Sequence, residues 1–447
     1  MKTETQQIKL IKLEKILELA EQQGATEAEV IQKTGSENPV NFENNKLKTL
    51  ESKQSSGIFI RLIKNGKIGT ASSTDPDALE SVVNSAIESS EFGTEATFKL
   101  SKEKLDKPQE NINKTPPLED LVERGTNVIE SLKPFHKDLL IGGGFDLASV
   151  ETIYLNSNKS YGRRAKTIYS TGFSIHLVRG EDFLGIYESN GNLKDFPDEK
   201  EIARKILEKL NYSKENIVLE TKKYSVIFTP RAVSLIFANI LSIILNGKTI
   251  EQKISPLVNK LGKELFDKKL SFIEDPSIGT GYALFDDEGI KTSRKEFIKN
   301  GIVNSFYFDL ASASRVMPQH VSTGNGFKPS LSTVPTPNLT SIKIEPGNKN
   351  APIYRDIIKN IKEGVLVDQL LGAGQSNTLA GEFSVGIDLG YKIKNGQIQG
   401  RIKNCMLAGN IFDVLKNIEA ISSDAAWIDG SELLPAFLIE NMTVAGK

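Results

Sequence analysis

The sequence contains one cysteine, Cys405, and one tryptophan among 447 residues. A single cysteine cannot form an intramolecular disulfide, which excludes a disulfide framework and favours a reducing compartment. Cys405 falls in a predicted strand, where a lone cysteine is more often a small buried apolar side chain than a metal ligand. The first residues predict an amphipathic polar helix and not a signal peptide, because they lack an apolar core and a cleavage site. We therefore expect a cytoplasmic protein.

Histidine is scarce as well. His136, His176 and His320 are far apart in the chain, and none forms the helical His/Glu spacing of a metal site. A Gly-x-Ser-x-Gly nucleophile elbow is missing, and so is the Gly-Lys-Ser/Thr of a phosphate-binding loop. Because catalytic triads are defined by geometry, a triad built from distant residues stays open.

Neither sign of charge is in excess, since 56 basic and 57 acidic residues leave a net charge of −1. This balance gives no basic surface for nucleic acid or for an anionic membrane, so we expect neither as a partner. The main apolar stretch is about 16 residues, roughly 24 Å as a helix, which is too short to span a bilayer. At this length two domains are the default expectation.

That apolar stretch organises the second half of the sequence. Residues 223–228 alternate as a short strand does, and Thr229 and Pro230 supply a cap and a first helical residue. The residues that follow are apolar on nearly every face, which is typical of a buried helix. Asn246 and the glycine after it predict a left-handed stop. We predict a buried central helix over residues 230–245.

The remaining patterns predict an α+β fold of two domains. Residues 1–222 contain a helix, antiparallel strands, a second helix and further strands, which predicts an N-terminal mixed domain. Residues 223–447 are rich in predicted strands, which predicts a β-rich C-terminal domain around the central helix. Lys-Asn-Gly sequences at residues 64–66 and 394–396 predict tight hairpins with type I′ turns.

Three polar segments of the second half are candidates for a site. Residues 286–289 are either a carboxylate cluster for acid/base or metal chemistry or a strand-ending turn, and we favour the turn. Residues 322–326 can present backbone N–H groups to a carboxylate or a peptide carbonyl, although a tight loop that needs positive φ explains them equally. Residues 372–375 predict a loop first and a ligand cradle second. The candidate cleft or substrate contacts are Asp286, Asp287, His320, Thr323, Asn325 and Gln375.

The strand, proline and apolar helix, followed by Phe-Asp-Asp-Glu-Gly, Ser-Thr-Gly-Asn-Gly and a Gly-rich segment at residues 372–390, resemble the TldD/PmbA family, also called modulators of DNA gyrase. In TldD-type members this helix carries His-Glu-x-x-x-His, which holds a catalytic zinc. The matching positions here are Ile236, Phe237 and Leu241. The C-terminal cysteine that completes the zinc site has no counterpart around residues 422–430. The chain therefore resembles the PmbA (TldE) type, the partner subunit without the metal motif.

The resemblance implies a two-domain α+β fold and a dimer that encloses a cleft. The expected partner is a TldD-type subunit that contributes the zinc, or a second copy when the chain is isolated. Family activity is proteolysis of short or unfolded peptides. For this chain the resemblance implies no catalytic residue and no cofactor of its own. Its expected role is to position the peptide, by strand addition to an exposed edge, and to close the chamber.

Two other functions stay open at this stage. The chain could be an enzyme in its own right, with ligands brought together from distant segments or across a homodimer. It could also be a binding module that acts on gyrase or another protein without proteolysis. The neutral net charge gives the gyrase name no support.

Overall fold

The computed structural model describes residues 4–105, 109–111, 116–316, 321–346 and 350–446. Within these residues the chain forms β-sheets of eight, twelve and two strands, with helices packed against the two large sheets. The α+β class predicted from the sequence is confirmed. None of the described helices combines the length and the apolar character needed to cross a membrane.

The first large sheet uses strands that end by residue 192. Its strands are β1 Glu27–Glu43, β2 Lys46–Leu50, β3 Lys53–Lys64, β4 Lys67–Ser73, β5 Gln109–Asn111, β6 Leu140–Asn156, β7 Tyr161–Arg179 and β8 Asp182–Asn192. The helices of this half are α1 Glu4–Gln22, α2 Leu79–Glu91, α3 Leu118–Leu132 and α4 Glu199–Tyr212. The strand order is β4-β3-β1-β6-β7-β5, with β2 on β1 and β8 on β7. Among the described pairs of this sheet, β5 with β7 is parallel and the others are antiparallel.

The second half contributes the other strands and six short helices. Its strands are β9 Asn216–Ile217, β10 Lys222–Phe228, β11 Leu270–Glu274, β12 Lys295–Lys299, β13 Ile302–Val303, β14 Gly326–Phe327, β15 Thr336–Pro337, β16 Ile342–Pro346, β17 Glu363–Leu371, β18 Glu382–Lys394, β19 Gln397–Ile402, β20 Cys405–Asn410, β21 Ala420–Ile428 and β22 Glu432–Ala445. The helices are α5 Pro230–Val233, α6 Asn239–Leu245, α7 Gly247–Glu251, α8 Leu310–Val316, α9 Tyr354–Asn360 and α10 Ile411–Val414. In the twelve-stranded sheet, β10 lies between β17 and β22 and leads directly into the central helix.

The predicted hairpin turns have the backbone that a type I′ turn requires. Asn65 and Gly66 have φ of 51° and 75°, and Asn395 and Gly396 have φ of 51° and 73°. Positive φ at both central residues matches the twist of the flanking strands. Each turn therefore fixes the register of its hairpin.

The central helix is present, but it differs from the prediction in two details. A π-helical turn, Ser234–Ala238, separates α5 from α6. Asn246 does not end the helix in a left-handed conformation, because its φ is −67° and its ψ is 128°. Its side chain instead accepts a hydrogen bond from the backbone N–H of Lys248 at 2.9 Å and caps α7. The predicted left-handed stop is therefore wrong, because Asn at this position serves as an N-cap.

The two halves share part of their hydrophobic core. One cluster joins Phe145 and Phe173 of the first sheet to Ile227 and Leu389 of the second. The change from one sheet to the other falls between residues 192 and 216, because β9 already pairs with β19. The predicted domain division at residue 222 stays a prediction.

Candidate functional site

The central helix buries the three positions that the sequence resemblance matched to a zinc motif. Thr229 begins the helix, and its hydroxyl accepts a hydrogen bond from the backbone N–H of Ala232 at 3.3 Å. Ile236, Phe237 and Leu241 are at most 1% exposed. Ile236 and Phe237 lie in the π turn, a rare element that is frequent at functional sites.

Aromatic rings enclose Phe237. Its ring is stacked on Phe437 with centroids 5.6 Å apart, and it meets Phe228 and Phe383 edge to face at 5.0 and 6.0 Å. Zinc needs imidazole, thiolate or carboxylate donors, and these side chains carry no lone pair. In the described part of the chain, no three His, Cys, Asp or Glu side chains are grouped so that they could hold a metal ion. The residues present at this position therefore do not fit a zinc ion.

The predicted Asp-Asp-Glu turn lies buried between the two sheets. Asp287 accepts a hydrogen bond from Lys33 Nζ at 3.0 Å and another from Arg164. Glu288 Oε1 accepts from both terminal nitrogens of Arg61 at 3.0 Å. We call Lys33, Arg61, Arg164, Asp286, Asp287 and Glu288 the interface cluster, because its cations belong to β1, β3 and β7 of the first sheet and its carboxylates belong to the second half.

Burial and pairing act in opposite directions on these carboxylates. Burial alone raises the pKa of Asp287, but the attraction of Arg164 and Lys33 outweighs burial and the pKa is lowered. Burial raises the pKa of Glu288 despite its pairing with Arg61. Asp286 and Asp287 are at most 1% exposed. Protein partners surround both carboxylates, and their contact with a substrate stays a prediction.

The loop over residues 322–326 donates its hydrogen bonds to other groups of the protein. Gly326 N–H donates to Asp286 Oδ2 at 2.8 Å, where the sequence had suggested a substrate carboxylate as the acceptor. Asn325 is fully buried, and its side-chain amide donates to Glu274 Oε1 at 2.8 Å. Thr323, which is half-buried, donates its hydroxyl to Asn325 Oδ1 at 2.8 Å. Asn325 is therefore part of the protein interior and not of an open ligand cradle.

The two remaining candidates stay untested by the geometry. His320 lies outside the described residues. Gln375 is exposed on a 3-10 turn, Ala373–Gln375, that follows Gly372 with its φ of 78°. Gly372 suits this turn because a glycine adopts positive φ without strain. Contact of Gln375 with a substrate stays a prediction.

A pocket of about 800 Å³ opens beside the start of the central helix. Its lining residues come from β8 and α4 of the first half, and from residues 229–231, α9, β17, β18 and β21 of the second. Its volume falls in the range of about 300–1,000 Å³ that is usual for small-ligand sites. We call it the helix-start pocket.

Charged side chains from both halves meet in this pocket. Lys209 of α4 forms ion pairs with Glu188 of β8 and Asp368 of β17. Asp368 also accepts a hydrogen bond from the hydroxyl of Thr229 at 2.9 Å. A terminal nitrogen of Arg231 lies 3.4 Å from Glu188 Oε2. The pocket therefore contains a neutral group of two cations and two anions at the N-terminal end of the central helix.

Mutual attraction keeps this group ionised. Burial lowers the pKa of Lys209, but the attraction of Asp368 and Glu188 outweighs burial, and the net effect raises the pKa. Burial raises the pKa of Asp368, but Lys209 and Arg231 outweigh it, and the net effect lowers the pKa. Removal of Lys209 therefore changes the titration of Asp368.

Sequence reasoning missed these residues, although two of them carried a signal. Asp368 interrupts a run of apolar residues in β17, and Arg231 is the charged residue in the first turn of an otherwise apolar helix. A charge inside an apolar element needs a partner, and such positions are candidates for function. Lys209 and Glu188 belong to amphipathic elements and carried no comparable signal.

The fold and the central helix define a class: a two-sheet α+β protein built around a buried helix that is apolar at positions 236, 237 and 241. Residues 221–446 match the family model of the PmbA/TldA metallopeptidase C-terminal domain, and residues 28–90 match that of the PmbA/TldA metallopeptidase domain 1. The chain belongs to the TldD/PmbA family.

Individual relatives agree with this assignment. A metalloprotease of Methanothermobacter thermautotrophicus is 22% identical over 86% of this chain and 85% of its own length. The metalloprotease PmbA of Escherichia coli O157:H7 is 28% identical over 55% of this chain and 50% of its own. The crystal structure of TldE from Thermococcus kodakarensis matches with a TM-score of 0.86 and 22% identity, over 97% of this chain and 100% of that one. At that identity, the structural match shows the fold.

Proposed function

We propose that the protein is a subunit without its own zinc site in a metallopeptidase that acts on short or unfolded peptides. The observation that carries this proposal is the packing of Ile236, Phe237 and Leu241, which are buried and offer no lone pair. Water that a zinc ion would activate has no space among these side chains. The zinc-dependent step therefore belongs to a second, related chain that carries His-Glu-x-x-x-His.

In this proposal the chain positions the peptide and closes the chamber between the two subunits. Relatives named metalloproteases support the class of reaction. The helix-start pocket supports a role in binding, because it combines buried charge with a volume that admits part of a peptide. We expect the complex in the cytoplasm, where the buried thiol of Cys405 stays reduced.

The test compares the purified chain with the complex formed on co-expression with a related chain that carries the motif. Zinc is measured by elemental analysis, and hydrolysis is measured on an unstructured peptide with and without a chelator. We expect the complex to contain zinc and to show chelator-sensitive hydrolysis, and the chain alone to show neither. Stoichiometric zinc together with chelator-sensitive hydrolysis in the chain alone would contradict the proposal.

A matched pair of variants locates the chemistry within the complex. Replacement of the motif glutamate in the partner abolishes hydrolysis, whereas Phe237→Leu in this chain leaves the rate per folded complex unchanged. Phe237→Leu keeps an apolar side chain and costs only a fraction of the about 3–5 kcal/mol of a Phe→Ala change. Loss of hydrolysis in a folded Phe237→Leu complex would assign this helix a part in catalysis.

A further inference from the structure

The helix-start pocket contains Arg231, which has more hydrogen-bond donors than protein partners. Arg231 is 7% exposed, and its guanidinium has five N–H donors. In the described part of the chain its partners are Glu188, at 3.4 Å, and Tyr187, over whose ring it lies at 4.4 Å. The nitrogen atoms of Arg231 that have no protein partner remain accessible to solvent. Because Arg231 lines the pocket, we infer that these unused donors face the pocket.

The acidic residues of the lining, by contrast, already have partners. Glu188 and Asp368 accept from Lys209, and Glu201 and Glu208 accept from Arg204. Two further carboxylates accept from backbone N–H groups: Asp198 from Lys200, and Asp424 from Tyr354. Unused acceptors are therefore few at this site.

Two more cations of the lining also have hydrogen-bond donors without a protein partner. Lys205 of α4 and Arg355 of α9 have no hydrogen bond and no ion pair within 4.0 Å among the described residues. The net charge of the lining is balanced, but three of its cations, Lys205, Arg231 and Arg355, have donors that are free to bind. An incoming group that accepts hydrogen bonds and carries negative charge would complete the site.

A further part of the lining is apolar or aromatic. Trp427 and Ile428 of β21, Ile358 of α9, Leu366 of β17 and Ile398 of β19 contribute apolar surface. A pocket of this kind suits a ligand with one charged end and an apolar body. A singly charged carboxylate fits better than a phosphate dianion, because the carboxylates of the ion-paired group lie beside Arg231 and repel a second negative charge.

We propose that the helix-start pocket binds the carboxylate of a peptide, with the carboxylate on Arg231 and the adjoining apolar side chain against Trp427. The carboxylate belongs to the C-terminus of the peptide or to an acidic side chain, since a guanidinium pairs with both in the same way. The choice of a peptide as the ligand rests on the proposed function. The choice of a carboxylate rests on the pocket alone.

The single tryptophan of the chain, Trp427, makes occupancy of the pocket directly measurable. The purified chain is titrated with three acetylated tripeptides while its tryptophan fluorescence is recorded. They are acetyl-Leu-Ala-Phe with a free carboxylate, its C-terminal amide, and acetyl-Leu-Glu-Phe amide. We expect the free acid to change the fluorescence saturably and to bind about tenfold or more tightly than the plain amide.

The third peptide distinguishes the two sources of the carboxylate. Binding of the glutamate-containing amide as tightly as the free acid means that an acidic side chain suffices, whereas its binding as weakly as the plain amide assigns the site to the C-terminus. Either result supports the proposal. Equal affinity of the free acid and both amides would overturn it, and so would inorganic phosphate that binds as tightly as the free acid.

Variants assign the interaction to particular side chains. Arg231→Gln weakens binding of the free acid about tenfold and leaves binding of the plain amide unchanged, and Lys205→Gln weakens the free acid by a smaller factor. Arg294→Gln is the control, because Arg294 lies outside the pocket in an exposed pair with Glu296. Unchanged binding of the free acid by folded Arg231→Gln would overturn the proposal. If Arg231→Gln does not fold, the comparison of acid and amide on the native chain decides.

This experiment is independent of the test of the subunit role. It uses the chain alone and measures no hydrolysis, so binding is observable even if the chain turns out to hold its own metal. Conversely, a chain that binds no carboxylate can still be a subunit without zinc.

Discussion

Two groups of buried charges connect the halves of this molecule, and they differ in what surrounds them. In the interface cluster, Arg61 pairs with Glu29 at 2.6 Å and with Glu288 at 3.0 Å, and its Nε is sealed in the interior without a partner. In the helix-start pocket, Arg231 has one long contact with Glu188, lies over the ring of Tyr187, and lines a cavity of about 800 Å³. The first group is closed to any ligand, and the second is open.

This difference distinguishes buried charged residues that stabilise the fold from buried charged residues that can bind a ligand. A buried charge that is paired with protein groups stabilises one arrangement of the chain, and its loss is strongly destabilising. A buried charge with unused donors that face a cavity leaves binding energy for a ligand. The sequence motif that drew attention first, Asp-Asp-Glu, belongs to the closed group, whereas Arg231 belongs to the open one.

The largest expected effect comes from the closed group. Arg61→Met leaves Glu29 and Glu288 buried without their cation, and we expect it to lower the free energy of unfolding by about 3–5 kcal/mol. Arg231→Met removes one long hydrogen bond while Glu188 keeps Lys209, and we expect a loss of about 1 kcal/mol. Urea denaturation of both variants, followed by circular dichroism, measures the difference.

The exposed Arg204→Met variant controls for loss of a charge as such, with an expected change within about 0.5 kcal/mol. If Arg61→Met and Arg231→Met lower the free energy of unfolding equally, the comparison fails, because the charges of the pocket would then stabilise the fold as much as those of the interface cluster.

The second prediction concerns Lys209, which links the two carboxylates of the pocket. In the native protein the pKa of Asp368 is lowered, so its ionisation contributes stability that is lost only as the pH falls through that lowered value. In Lys209→Met the buried Asp368 loses its main cation, and we expect its folded-state pKa to rise above the unfolded value of about 4. The folded state then binds more protons than the unfolded state, so stability of the variant falls as the pH rises.

We therefore expect the deficit of Lys209→Met to be small near pH 4 and to reach about 2–4 kcal/mol near pH 7. Urea denaturation at several pH values between 4 and 7 measures the trend. Lys205→Met, which removes an unpaired cation from the same helix, is the control and shows no such growth. A deficit that is constant over this range would mean that Lys209 does not control the ionisation of Asp368.

The third prediction uses the lysines beside the interface cluster. Burial lowers the pKa of Lys328 to about 7 and that of Lys166 to about 8, against about 10.4 in an unfolded chain. Between these values the unfolded state binds more protons, so the stability of the native protein rises with pH by up to about 1.4 kcal/mol per unit for each group.

We expect a net gain of about 1–3 kcal/mol between pH 7 and 9, measured by urea denaturation. Lys328→Met removes one of the two contributions and makes the dependence shallower, whereas the exposed Lys359→Met leaves it unchanged. A native stability that is flat or falling over this range would show that neither amine is deprotonated in the folded state.

Sequence periodicity predicted the parts of the fold that depend on neighbouring residues. The Asn-Gly hairpins and the buried central helix are local features, and both were confirmed. The π turn was not predicted. The capping role of Asn246 was not predicted either, because it depends on how the end of the helix meets Tyr307, to whose hydroxyl the Asn246 amide donates at 3.1 Å. Such contacts between distant residues leave no periodic signal.

The site was less predictable for the same reason. The motif comparison identified the apolar positions 236, 237 and 241, because a missing ligand is visible in one helix. The helix-start pocket brings together α4, the start of the central helix and β17, which are separated by long stretches of chain. Its traces in the sequence were single charges in apolar runs, at Asp368 and Arg231. Conversely, the polar turn at residues 286–289 was a candidate site in the sequence, but it is buried between the two sheets.

The smallest effect on stability is expected at Gln375, outside both charged groups. The side chain is exposed, so Gln375→Ala changes the free energy of unfolding by less than about 0.5 kcal/mol. If Gln375 contacts the substrate, the reconstituted complex loses about one hydrogen bond, and KM for an unstructured peptide rises about two- to tenfold with kcat unchanged. Binding of the acetylated tripeptides to the isolated chain stays the same, because Gln375 does not line the helix-start pocket. An unchanged KM would remove Gln375 from the substrate path, and weaker tripeptide binding would extend the pocket to this turn.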